Sequence, residues 1–424
     1  MSNQTKQWGA IIVMIALFAM IAFVTNLCTP MATIIKNQGE ISPVLANIGN
    51  YGNFIAYLVM GIPAGMLISK FGYKKTALIG LFVGIVGIFV QWCSGLLNAQ
   101  ENLGLVFGVY LVGAFISGLC MCILNCVVNP MLNILGGGGN KGNQLIQIGG
   151  VFNSSAAVAC YILMGALISD ATKAKISDAT PALMIALAIF VIAFVVILFT
   201  RIEEPEQAPV RLDLIKGALK HRHFALGALA IFLYMGIEVG VPNFVNLLLV
   251  DEKGIPAGTV GLLVAVYWFM MLIGRLVGAS IGSKVSSRTM ISTVSVITLI
   301  LVLFGMFAPS DVLVNFPGVD WGTMTLIFQE IPLGVFAFLL VGLCTSVMWG
   351  AIFNLAVEGL GKYTAVASGI FMTMVFGCAV MLWIQGTVAG WAGYTTSFWV
   401  VVFCAAYLLF YALAGSRVTK REND

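Results

Sequence analysis

Arg201-Ile-Glu-Glu-Pro-Glu-Gln-Ala-Pro-Val-Arg-Leu-Asp-Leu-Ile-Lys-Gly-Ala-Leu-Lys-His-Arg222 is the longest stretch of this chain that a hydrocarbon layer would reject. It is dense in charge, and Pro205 and Pro209 interrupt any helix through its first half. Apolar runs flank it on both sides. They fall at 8–36, 44–69, 75–98, 103–135, 145–169 and 180–200 before it. After it they fall at 223–250, 258–283, 289–308, 332–358, 364–388 and 392–415. A bilayer core needs ~20 apolar residues per helical crossing, so each run can span. The reading is an all-α membrane protein of twelve transmembrane helices in two pseudo-symmetric bundles. The bundles are 1–200 and 223–424, joined by the linker 201–222, in which 212–219 reads as a short amphipathic surface helix.

Composition agrees. Of 424 residues, 60% are hydrophobic and 9% charged, against roughly a quarter charged in a soluble domain. The formal net charge of +4 is small and scattered, which argues against a nucleic-acid partner. All nine cysteines lie in apolar runs, and the two histidines, His221 and His223, sit at the end of the linker. That arrangement offers no metal-ligand spacing, no nucleophile–histidine pair and no cofactor motif, so an enzyme is disfavoured. The Gly136–Gly139 run follows no strand and lacks the Lys-Ser/Thr of a phosphate loop. The first apolar run is too long for a cleaved signal.

Lysine and arginine set the orientation, because cytoplasmic loops retain positive charge. With the N-terminus inside, seventeen of the 21 basic residues fall at the cytoplasmic side, leaving Lys36, Lys173, Lys175 and Lys253 outside. Both termini are then cytoplasmic. The chain also repeats itself: Ser69-Lys70 with Lys74 recurs as Ser283-Lys284 with Arg288, an offset of 214 residues. Such a repeat is the trace of two related bundles meeting at a midplane site.

The first of these loops, Gly65-Met-Leu-Ile-Ser-Lys70-Phe-Gly72-Tyr-Lys74-Lys75, resembles the signature loop of the major facilitator superfamily. Its glycines suit a tight turn at the membrane surface and its cations anchor it. Where that family carries an acid, Ser69 stands here. A narrower resemblance runs to the fucose/proton symporter family of sugar transporters. It rests on Asn129-Pro130 with Leu135-Gly136, Val151-Phe-Asn-Ser154, Tyr234-Met-Gly-Ile-Glu238, and Ile352-Phe353 with Gly359-Leu-Gly361. The resemblance implies alternating access, with Gly65, Lys70, Gly72, Lys74, Arg275, Lys284 and Arg288 in its conformational-switch loops. It also exposes departures. Proton-driven relatives carry an aspartate in span one and a glutamate in span four, and these positions align with Thr29 and Asn125. A span-five glutamine of the fucose transporter aligns with Gly150.

Ionisable groups inside a bilayer are costly and face a cavity by default. Glu238 is the one acid near the midplane. Pro242, four residues on, has no N–H to bond the Glu238 carbonyl, so carboxylate and freed carbonyl sit side by side. Asn26, Asn125, Asn129, Asn153, Asn243 and Asn246 add paired donors and acceptors suited to vicinal hydroxyls. Each is equally suited to bonding one helix to another. Tyr267 and Trp349 are candidates to line or stack a pyranose ring.

The expectation is a monomeric carrier in a bacterial inner membrane that takes up a neutral monosaccharide or related polyol. With Thr29 and Asn125 unable to exchange protons, transport is read as not proton-driven. Facilitated diffusion is set slightly ahead of coupling to Na⁺ at Glu238. The competing readings are a drug or cation exporter of the same superfamily and a non-transporting sensor.

Overall fold

The computed structural model describes residues 8–37, 48–97, 99–136, 139–167, 176–202, 213–281, 285–320, 325–360 and 363–418. Among them eleven helices are long and apolar enough to cross a membrane, and a shorter apolar helix, Phe54–Ile68, occupies the second run. The twelve-span reading of the sequence is consistent with this. Spans two and three form one continuous element, Ile48–Leu96, broken only at Gly72 with φ +79°. Glycine alone takes that conformation without strain. Gly65 corrects the sequence reading: it lies inside the helix of span two, with open space where a Cβ would be. Only Gly72 makes the turn.

The repeat read from the loops reappears in three dimensions. Lys74 at the start of span three donates to the Leu198 carbonyl at the end of span six, at 3.1 Å. Arg288 at the start of span nine donates to the Ser416 hydroxyl at the end of span twelve, at 3.3 Å. Each half thus has its third helix clasped to its sixth by the loop cation. Lys284 lies outside the described residues, and Lys70 is exposed, with its ammonium 5.2 Å from the Phe71 ring.

Among the described residues the halves meet chiefly along two seams. Span five, Gly139–Leu167, packs on span one of its own half and along span eight, Ala257–Ile281, of the other. Spans two and eleven meet where a Cβ at Gly61 would collide with Thr373. Small residues at such crossings let backbones approach, which is where packing energy between helices in lipid originates.

The linker helix is present as Asp213–Leu219. His223 corrects the sequence reading that placed it in a polar loop: it is buried inside the start of span seven. Its Nε2 lies 2.8 Å from the Glu358 carbonyl, which ties span seven to the end of span ten.

Outside the spans, an antiparallel hairpin absent from the sequence reading joins spans nine and ten. Its strands are Leu313–Asp320 and Thr325–Pro332, with Leu313 opposite Pro332 and Asp320 opposite Thr325. Pro317 and Gly318, both strand-disfavouring, hide the alternation in the first strand. Gly318 is buried against span eight, where an added Cβ would come within 2.5 Å of the Thr259 hydroxyl. Because spans alternate direction, the hairpin lies at the end of the molecule opposite the linker.

Candidate functional site

Span seven is two helices, Arg222–Glu238 and Gly240–Leu247, divided at Val239. Pro242 is the cause, since it cannot bond the Glu238 carbonyl. That carbonyl is not left bare: the Tyr267 hydroxyl of span eight donates to it at 3.0 Å. The same hydroxyl lies 3.2 Å from Thr345 Oγ1 of span ten. The Tyr234 hydroxyl, one helical turn before Glu238, is near enough to act on its carboxylate and donates to the Thr345 carbonyl at 3.3 Å.

Two glycines bring these helices close enough. A Cβ at Gly342 of span ten would strike the Tyr267 backbone, and one at Gly274 of span eight would come 2.6 Å from the Leu343 carbonyl. Spans eight and ten therefore touch backbone to backbone, which fixes Tyr267, Arg275 and Thr345 around Glu238. Arg275 is close enough for the two opposite charges to act on each other.

Arg275 also reaches across the seam. Its guanidinium donates to the Gly150 carbonyl and, at 3.4 Å, to Asn153 Oδ1 of span five. Asn153 in turn donates to the Phe18 carbonyl of span one at 2.8 Å. Gly150 has no side chain for a reason visible here: an added Cβ would sit 3.1 Å from the guanidinium and 3.2 Å from Arg275 Cδ.

Glu238, Arg275, Trp349, Asn125, Asn129 and Asn153 all keep partial solvent exposure although they lie deep between the spans. None of these six is closed off completely, unlike the fully buried Tyr234 and Tyr267 beside them. Trp349 stands beside this group, 6.2 Å from the Tyr234 ring and 5.4 Å from Phe371. In the N-terminal half, Asn125 donates to the Tyr57 hydroxyl at 2.9 Å, and Asn129 donates to the Asn125 carbonyl at 3.1 Å.

Other sequence candidates are placed differently. Tyr267 is fully buried and supports the Glu238 backbone, so it does not offer a stacking face. Asn26 is buried and bonds its own helix, donating to the Ala22 carbonyl at 2.8 Å. Asn243 and Asn246 are buried in the second helix of span seven, packed rather than open. Conversely, Tyr57, Tyr234 and Thr345 were missed. Only Tyr234 carried a signal, its four-residue spacing from Glu238. Among the described residues no group of three His, Cys, Asp or Glu is placed to hold a metal.

A family model described as Major Facilitator Superfamily matches residues 11–379. The chain belongs to the major facilitator superfamily. It is 27% identical over 425 residues to a glucose/galactose transporter of Brucella abortus (strain 9-941), covering 98% of this chain and 96% of that one. It is 22% identical over 388 residues to the L-fucose-proton symporter of Escherichia coli (strain K12), covering 85% and 82%. In fold it is similar to the crystal structure of a major facilitator transporter, FucP, in the outward conformation. That match has a TM-score of 0.71 at 20% identity and covers 96% of this chain and 99% of the other. This superfamily fold is a pair of six-helix halves, and here Glu238 and Arg275 lie where the halves face each other.

Proposed function

We propose that the chain is a secondary transporter that carries a neutral monosaccharide, of the hexose class, by alternating access. The observation that carries this reading is the Glu238 group: a partly exposed carboxylate deep in the spans, one helical turn from Tyr234, whose ring lies 6.2 Å from Trp349. A carboxylate accepts from vicinal hydroxyls, an indole covers the apolar face of a ring, and the asparagines of span four are suited to supply further donors and acceptors. The relatives named glucose/galactose transporters, matched over nearly the whole chain, support the same substrate class. Arg275 is met by Glu238, which leaves no unmatched cation in this group for an anionic sugar.

Transport is proposed to be facilitated diffusion. Two features speak against Na⁺ at Glu238: its carbonyl already accepts from Tyr267, and the positive charge of Arg275 already acts on its carboxylate. Asn125, at the span-four position where proton-driven relatives carry an acid, is bonded to Tyr57 and has no proton to exchange. In proteoliposomes, hexose uptake is expected to stop at equal concentrations whether a pH gradient, a Na⁺ gradient or neither is imposed. Accumulation above equilibrium under the pH gradient alone would refute this and make Glu238 the proton carrier.

The proposed setting is a bacterial inner membrane with both termini and the linker inside. A cysteine at Asn315, in the hairpin, is expected to react with an impermeant maleimide on intact cells, and one at Gln207, in the linker, only after lysis. The opposite labelling pattern would invert the topology.

A further inference from the structure

Trp268 Nε1 and Ser154 Oγ, in the seam between spans five and eight, are buried polar atoms with no hydrogen-bond partner among the described residues. The serine is the weaker clue, since a hydroxyl in a helix can rotate onto its own preceding turn. An indole N–H cannot. It is fixed to its ring, only donates, and when buried it normally finds an acceptor. Trp268 is 6% exposed, so bulk water does not supply that acceptor.

Its surroundings say what kind of acceptor belongs there. The Trp268 ring lies stacked against Tyr161 of span five, with centroids 6.5 Å apart and planes at 22°. It also meets the edge of Tyr267 at 5.3 Å and 86°. Tyr267 holds the Glu238 carbonyl through its hydroxyl, so a single ring separates the unpaired donor from the Glu238 group. Helical spacing places Gly150, Ser154 and Tyr161 on one stripe of span five, the stripe that receives Arg275 and Trp268. A donor-only N–H flanked by aromatic rings, one ring from the Glu238 backbone carbonyl, complements a neutral polyol. One hydroxyl gives its proton to Glu238 and another accepts from the indole.

We propose that Trp268 donates its indole N–H to one hydroxyl of the transported sugar and thereby sets which hydroxyl pattern is accepted. This rests on the sugar-transport reading above. A site built to bond a hydroxyl discriminates sharply against the analogue that lacks it.

The test is binding to the purified full-length protein, by calorimetry, of D-glucose, D-galactose and their monodeoxy analogues. In the wild type, at least one monodeoxy sugar is expected to bind about tenfold more weakly than its parent, the scale of one lost hydrogen bond. Trp268→Phe should lose about tenfold for the parent sugar and nothing further for that analogue. Trp268→His, which keeps a ring N–H, should recover part of the discrimination. The proposal is overturned if Trp268→Phe binds every sugar as the wild type does, or weakens all of them alike. A wild type that binds the parent hexoses but shows no loss for any analogue overturns it equally, without relying on the variants. A wild type that binds none of the hexoses removes the transport reading itself.

Discussion

Glu238→Gln is expected to reduce hexose counterflow by about 100-fold while the protein still reaches the membrane. Glutamine keeps the shape of glutamate, so local packing survives, but it removes a charged acceptor. Hydrogen bonds to charged groups are worth about 1.5–3 kcal/mol, or roughly 10- to 100-fold in affinity. The substitution also strips Arg275 of its counter-charge, which complicates a loss measured alone. The double change Glu238→Gln with Arg275→Gln separates the two causes. If Glu238 serves only to neutralise Arg275, the double variant regains equilibrium hexose binding. If Glu238 contacts the sugar, binding of the parent hexose stays weak. Recovery of binding in the double variant would sink the assignment.

Gly150→Leu is expected to slow turnover about tenfold or more while leaving equilibrium sugar binding within about twofold. The argument is steric. A Cβ at position 150 would lie 3.1 Å from the Arg275 guanidinium, so a leucine pushes Arg275 off the Gly150 carbonyl and Asn153. Those bonds tie span eight to span five across the two halves, and a carrier that alternates must make and break them. Loosening them shifts the balance of states without touching the Glu238 carboxylate. Comparing initial counterflow rates with calorimetric binding on the same preparation checks this. Unchanged turnover, or a loss confined to affinity, would show that the Arg275 bridge is packing rather than a gate.

The residues that announced themselves in the sequence were those whose chemistry conflicts with their surroundings. Glu238 is an acid in an apolar run, and Pro242 marked the break beside it; both statements need only one-dimensional information. The linker, the loop repeat and the number of apolar runs were legible for the same reason. What stayed hidden depends on contacts between helices far apart in sequence. Nothing near Thr345 foretells that its carbonyl and hydroxyl meet Tyr234 and Tyr267. Tyr57 is one tyrosine among eleven until span two places it against Asn125. Asn26 and Asn153 looked alike as polar residues in spans. One bonds its own helix and the other bridges to Phe18 and Arg275, a distinction carried by helix rotation alone.

The hairpin between spans nine and ten has a practical corollary for reconstitution. Carriers inserted into vesicles face both ways, and a facilitative carrier works in either direction, so measured rates average two populations. The hairpin stands at one end only, with Leu326 and Phe328 more than two-thirds uncovered. Its two short strands leave free edges that an engineered antibody fragment can pair with or grip. An immobilised fragment of that kind would retain vesicles by the face they present. Influx and efflux could then be timed on uniformly oriented protein, and the directional asymmetry of the cycle read without genetic modification of the carrier.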